Sequence, residues 1–185
     1  MTKKQKLLNE VSLEILSCKT CNRLKKGELV PGEGSASADI VFVGEAPGKE
    51  EIKTGRPFIG RAGKVLRELI ESVGLKADDV FITSAVKYLP KTYITPKDSD
   101  IAHGQTHLTK QLDVIKPKVV VILGNTAALS ILKEKFSISK VHGTVLDRNG
   151  IKYFISYHPA APLYSPKLRE VIFKDFKKLK RLIQK

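Results

Sequence analysis

Three groups of residues in this chain of 185 residues carry reactive or ligating side chains in close sequence proximity or in turn-forming contexts. Cys18 and Cys21 stand at C-x-x-C spacing. Gly44-Glu45-Ala46-Pro47-Gly48 places a carboxylate inside a tight Gly/Pro turn. His158 opens a His-Pro-Ala-Ala run, an imidazole directly ahead of a proline. Taken singly, each is ambiguous. One cysteine pair cannot staple a secreted scaffold, so it does not imply an oxidising compartment. The GEAPG turn is not a nucleotide loop, because the GxxxxGK(S/T) spacing is absent and no GxGxxG opens the following helix. A lone histidine is more often structural than catalytic.

Composition narrows the field. Lys and Arg number 33 against 19 Asp and Glu, a net charge of +14. Such an excess points to an anionic partner, most often nucleic acid and less often an anionic membrane face. The bland alternative is a surface merely solvated by lysine. Apolar residues make up 42%, enough for a core and too many for a disordered chain. A domain of this length buries roughly 70% of its unfolded surface. No apolar run approaches the ~18 residues of a membrane span. The start, MTKKQKLLNEVSLEIL, has neither a continuous apolar block nor a small-residue cleavage site. The expectation is one cytoplasmic domain over residues 1–185, monomeric and of prokaryotic type.

The elements that must position these groups alternate between strand and helix. Residues 5–16 carry Leu7, Leu8, Val11 and Ile15 at helical spacing. A polar connection through the cysteines leads to a buried strand at 39–43. After a Gly-rich loop, Val65, Leu66, Leu69, Ile70 and Val73 mark a helix over 63–73, closed by Gly74. Residues 80–86 read as a second strand, and LPKTYITPKD as a loop whose prolines oppose regular ladders. Asp98 or Ser99 caps a helix to Ile115, and KVVVIL is the third strand. Gly124-Asn125 opens a short helix ending near Lys135. Residues 144–147 and 151–156 flank Asn149-Gly150, a hairpin signal, and YHPAAPLYS reads as a loop. Ser165-Pro166 starts the last helix, 166–184, with a basic outer face. This alternation predicts an α/β fold, a three-layer α/β/α sandwich with a mainly parallel four-stranded central sheet. Ligands of such sheets bind beyond the carboxyl ends of the strands. That puts the loop after Val43, the residues near Ser84, Gly124-Asn125 and the loop after Ser156 on one rim.

The whole string is more specific than its parts. GEAPGKEEIKTGRPFIGRAG, then FITSAVK, VVVILG and YHPAAPL, in that order, resembles the uracil-DNA glycosylase superfamily, and most of all its iron–sulfur-containing family 4. The likeness runs from the CxxC to the final helix. It implies hydrolysis of the N-glycosidic bond of uracil, or another deaminated base, in DNA, leaving an abasic site. Such a site must extract the base, hold it flat, stabilise negative charge on its carbonyls and admit one water. Extraction costs a few kcal/mol. Phe58, in RPFIG, matches the family's aromatic platform, and stacking returns about 1–3 kcal/mol. Core packing is the alternative for that ring. His158 matches the histidine that hydrogen-bonds a uracil carbonyl; whether it acts neutral or charged is open at this point. Glu45 matches an acid that positions water or offsets charge on the sugar. Gly44, Ala46, Pro47 and Gly48 shape a backbone with amides available to the base, and Glu51 falls where the family often has an acid near the base's C5 edge. A solvated loop acid is the plain alternative for Glu51. Arg56, Arg61, Lys64, Lys87 and Lys91 flank the rim and suit phosphate contacts. No matched residue is a lysine placed to form a Schiff base, so strand cleavage is not expected.

Two departures from the family pattern matter. Ser84 stands where the family usually has Asn, which offers a donor and an acceptor together. A hydroxyl that rotates should separate uracil from cytosine less well, so weakened uracil activity or a different base is expected. The resemblance also implies a four-iron cluster on four cysteines. Cys18 and Cys21 match the first pair, but Tyr88 and Gly104 occupy the other two positions. No cofactor is therefore expected. His103 and His107, at i,i+4, leave a Cys2His2 zinc site as the lesser option, against plain exposure on a polar helix face. The rival readings are a superfamily member that binds damaged or single-stranded DNA without turnover, and a small-molecule α/β enzyme. The basic rim argues against the second.

Overall fold

The computed structural model describes residues 1–91 and 95–184. Along the chain, α1 (Lys3–Ser17) and α2 (Lys19–Leu24) precede β1 (Lys25–Lys26), β2 (Glu33–Gly34) and β3 (Ile40–Gly44). Then come α3 (Glu51–Thr54), α4 (Arg61–Ser72), β4 (Phe81–Ser84), β5 (Leu89–Pro90) and α5 (Asp98–Ile115). The second half holds β6 (Val119–Leu123), α6 (Asn125–Leu132), α7 (Ile138–Val141), β7 (Val145–Arg148), β8 (Ile151–Ser156), α8 (Ala161–Tyr164) and α9 (Lys167–Ile183).

Among the described residues six strands form one sheet, in the order β2-β4-β3-β6-β8-β7. The four central strands are parallel, with Gly44 level with Ser84 and Leu123 level with Ser156. They are the four expected from sequence. The two extra strands are antiparallel edges, which corrects the expected strand count. One edge, β7, is the other arm of the anticipated hairpin, whose Asn149 and Gly150 both have positive φ, as a tight primed turn requires. The other, β2, pairs only two residues with β4, too few to leave an apolar pattern in the sequence.

Alternation within the strands makes the layers. Phe42, Val121, Leu123 and Phe154 face one way, against Leu66, Leu69 and Ile70 of α4 and Ile172, Phe176 and Leu179 of α9. Val41, Val43, Val120 and Ile122 face the other way, against Leu8 of α1, Leu108 and Ile115 of α5, and Ala127, Ala128 and Leu132 of α6. Every residue of β3 and β6 is buried, as expected of strands covered on both faces. Burial of each large side chain in these layers contributes roughly 1.5–3 kcal/mol.

Several boundaries differ from expectation. The cysteine segment, read as a connection, folds as α2, with Cys21 buried in a third small cluster beside Leu29, Val86, Tyr88 and Ile101. The YHPAAPLYS stretch contains α8. The helix after Gly124 ends at Leu132, three residues early, because Lys133 turns into the left-handed region. Within LPKTYITPKD, Leu89–Pro90 pairs with Lys25–Lys26, and residues 92–94 lie outside the described residues. On α9, Asp175 is buried, and its carboxylate meets Nδ1 of His142 and Nζ of Lys178.

Candidate active site

The four rim segments meet as expected, and backbone hydrogen bonds join them. Ala85 N–H donates to Gly44 O at 2.9 Å, Val86 N–H to Glu45 O at 3.0 Å, and Gly124 N–H to Ser156 O at 3.0 Å. Between them lies a cavity of about 210 Å³. Its walls include Ala46, Pro47, Gly48, Glu51, Phe58, Ser84 and His158. Larger grooves lie beside it and elsewhere on the surface; this small one gathers Phe58, Ser84 and His158.

Phe58 is built into place. Its φ of 51° is left-handed, unusual for a bulky side chain and costly by roughly 1–2 kcal/mol. Two contacts hold it there. Arg67 Nη1 donates to Phe58 O at 2.6 Å, and Gly63 lets α4 press against the same carbonyl, where a Cβ would fall 1.7 Å from that oxygen. The ring lies against Gly44 and stacks on the His158 imidazole, with centroids 5.7 Å apart and planes at 30°. Its inner side borders the α4/α9 core cluster, so the core-packing alternative is met in part while the ring still walls the cavity.

His158 has a defined protonation pattern. Ala160 N–H donates to its Nδ1 at 3.1 Å, so Nδ1 carries the lone pair and Nε2 the hydrogen. Burial pushes the ring's pKa down to about 4, with the Glu51 carboxylate pulling the other way. The imidazole is therefore neutral near pH 7, with its N–H beside the cavity. Gly124, at φ 96°, permits this packing; a Cβ there would lie 3.3 Å from His158 Cβ.

The two acids divide. Glu51 is 9% exposed, and its Oε1 accepts from Gly60 N–H at 3.0 Å, fastening the start of α3 to the loop before α4. It is a structural part of the cavity wall and not a solvated loop acid. Glu45 faces an adjoining open pocket of about 570 Å³, shared with Gly124, Asn125 and His158. Its Oε2 accepts from Thr126 Oγ1. Thr126 was missed from sequence; it stands in the first turn after a rim strand, and that position was the available signal.

Ser84 is buried on the cavity wall, and its hydroxyl donates to Val86 O at 2.8 Å. The freely rotating hydroxyl expected from sequence is thus replaced by one whose single hydrogen is engaged.

The basic residues separate into three kinds. Arg61 and Lys64 are exposed on the first turn of α4, next to Ala62 of the cavity wall. Lys91 is exposed as well, and Arg56 is engaged in a two-pronged ion pair with Glu33, at 2.8 and 2.7 Å. Lys87 does not fit the phosphate-binding expectation. It is 0% exposed, and its Nζ donates to Thr83 Oγ1, Ser84 O and Gln111 Oε1, each at 2.7 Å. Burial lowers its pKa to about 7, while three acceptors match the three N–H bonds of an ammonium. Either way it braces Ser84 from behind and cannot reach DNA.

The cysteines and histidines converge. Cys18 Sγ lies 3.3 Å and Cys21 Sγ 3.4 Å from His103 Nε2, and Cys21 Sγ lies 3.7 Å from His107 Nε2. The expectation of a chain without a cofactor loses its support here, because it rested on a metal set lacking half its ligands.

A central parallel sheet between two helical layers, with an aromatic ring and a neutral imidazole lining one small rim cavity, defines a three-layer α/β protein with a single-ring-sized pocket at the carboxyl ends of its strands. The family model described as the uracil DNA glycosylase superfamily matches residues 31–184, and the chain belongs to that superfamily. It is 43% identical over 187 residues to a type-4 uracil-DNA glycosylase of Archaeoglobus fulgidus, covering 96% of this chain and 94% of that one. A type-4 uracil-DNA glycosylase of Thermotoga maritima is 40% identical over 190 residues, covering 100% and 99%. One from Sulfurisphaera tokodaii is 42% identical over 185 residues, covering 95% and 84%.

Proposed function

We propose that this chain is a DNA base-excision glycosylase that hydrolyses the N-glycosidic bond of deoxyuridine and leaves an abasic site. The observation that carries the reading is the Phe58–His158 pair, two rings with centroids 5.7 Å apart on the wall of a cavity sized for one small heterocycle.

The extruded base stacks on Phe58. His158 donates its Nε2–H to a base carbonyl, where negative charge grows as the C–N bond breaks. A neutral donor suits this role, since it needs no proton transfer and is already aimed. The bonding electrons leave on the ring nitrogen, and the sugar becomes oxocarbenium-like. Glu45, in the adjoining pocket and oriented by Thr126, holds the attacking water and faces the cationic sugar. Water adds to the sugar carbon and gives up its proton to solvent.

Ser84 contributes to reading the base. With its hydrogen on Val86 O, the oxygen offers lone pairs to the cavity. That matches the ring N–H of uracil and opposes cytosine, whose equivalent nitrogen is itself an acceptor. This revises the expectation of poor discrimination. Arg61, Lys64 and Lys91 hold phosphates, with DNA as the partner and one chain sufficing. Among the described residues no lysine lines either pocket, which supports a hydrolytic enzyme without Schiff-base chemistry. No described helix is long and apolar enough to cross a membrane.

The test is base release from oligonucleotides carrying uracil, hypoxanthine, xanthine or cytosine, single- and double-stranded. Uracil release well above the other three supports the reading; binding without release of any base overturns it.

A further inference from the structure

The cluster of Cys18, Cys21, His103 and His107 lies apart from the cavity. It joins the α1–α2 corner to α5. Its four ligand atoms all lie within 4.8 Å of one another.

The family's four-iron cluster does not fit this set. Each ligand of such a cube binds a different iron, with inorganic sulfides between them, so the donor atoms stand well apart. Here they crowd a single point. Tyr88 fills one missing cysteine position with a buried ring whose hydroxyl donates to Asp100 Oδ1 at 2.6 Å. Gly104 fills the other, where a Cβ would fall 2.1 Å from Ala85 O, so α5 as packed admits no side chain there. That close approach of α5 also brings His103 and His107 onto the cysteines.

A single tetrahedral ion does fit. With zinc–sulfur bonds of about 2.3 Å and zinc–nitrogen bonds of about 2.0–2.1 Å, neighbouring sulfur and nitrogen ligands are roughly 3.5 Å apart. Three of the four sulfur–nitrogen separations are 3.3, 3.4 and 3.7 Å, and all four ligand atoms stay within 4.8 Å of one another. Hydrogen bonding alone accounts for the cluster poorly. Two thiols point at one imidazole nitrogen, His103 Nε2, which has one lone pair. His107 is 4% exposed, and its Nε2 faces Cys21 Sγ, a sulfur that already meets His103 Nε2. A central cation would take up all four lone pairs at once.

We propose that Cys18, Cys21, His103 and His107 bind one zinc ion in a closed tetrahedral site that replaces the family's iron–sulfur cluster as a structural staple. All four positions come from the protein, so no site is left for water or substrate. The staple backs the Val86–Tyr88 turn and the wall residue Ala46, both in the apolar cluster around Cys21. It does not depend on the base-excision reading.

The experiment is zinc, iron and acid-labile sulfide analysis of the full chain, purified without a metal-affinity step from medium containing both metals. We expect about one zinc per chain and neither iron nor sulfide. Cobalt(II) exchange should give the visible absorption of a tetrahedral thiolate site. His103→Ala should lose the metal and His103→Cys retain it, with circular dichroism confirming that each variant is folded. If His103→Ala does not fold, the wild-type stoichiometry and cobalt spectrum decide. About four irons with sulfide, or a folded wild type holding neither zinc nor added cobalt, overturns the proposal.

Discussion

Gly44 lies directly beneath the edge of Phe58. A Cβ built on it would come within 2.5 Å of Phe58 Cζ and 3.7 Å of His158 Nε2. The glycine that opens the GEAPG turn therefore leaves room for the two rings that make the cavity. Gly44→Ala should push the phenyl ring out of register. A displacement of about 1 Å in a positioning group can cost ~10²-fold in rate, and a fall of that order in kcat/KM for uracil release is expected, with unfolding in urea near wild type. Wild-type kcat/KM in this variant would mean that the ring position does not matter.

Ser84→Ala removes one acceptor from the cavity wall and leaves its shape. The expected loss in uracil release is about 3- to 10-fold, in line with one neutral hydrogen bond. Cytosine release should not fall in parallel, so the uracil/cytosine ratio of kcat/KM is the quantity to measure.

Lys87 and the exposed arginine and lysine of α4 should respond in opposite ways. Arg61→Ala and Lys64→Ala should each flatten the slope of log affinity against log salt by up to about one unit, as loss of a phosphate contact does. Lys87→Met should leave that slope unchanged. It should instead lower stability by about 1–3 kcal/mol in urea, because the carbonyls of Ser84 and the Gln111 side chain lose their buried donor. Fluorescence anisotropy at several salt concentrations separates the two behaviours.

His158 gives a pH signature. The folded ring titrates near 4, against 6.5 for the ordinary value. Between these values the unfolded chain holds the extra proton, so this residue's contribution to stability rises with pH across the window and is lost as pH falls through it. Activity should show no acid limb from His158 between pH 6 and 7, because the donor is already neutral there. A ring signal in NMR titrating near 6.5 would contradict this.

The central sheet was legible because its strands are short runs of β-branched and aromatic residues, such as IVFV and VVVIL, bounded by Gly or Pro. The rim followed from strand direction, and the motifs pointed to Phe58 and His158, which line the small cavity, and to Glu45, which lines the pocket beside it. What sequence hid depended on contacts far apart in the chain. Lys87 reads as a surface charge, since nothing local reveals Gln111, its acceptor 24 residues on. The histidines read as a polar helix face, since the cysteines they meet lie 82 to 86 residues earlier. Arg67 reads as helix surface, although it holds the Phe58 carbonyl. β2, α2 and α8 were too short, or too polar, to leave a period in the sequence.

The role of His158 as the aimed donor is decided by single-turnover release of uracil by wild type and by His158→Ala, at saturating enzyme. Release by the wild type is expected, with a fall of ~10²–10³ in the variant, the usual cost of one aimed donor. Equal rates for the two proteins would contradict it.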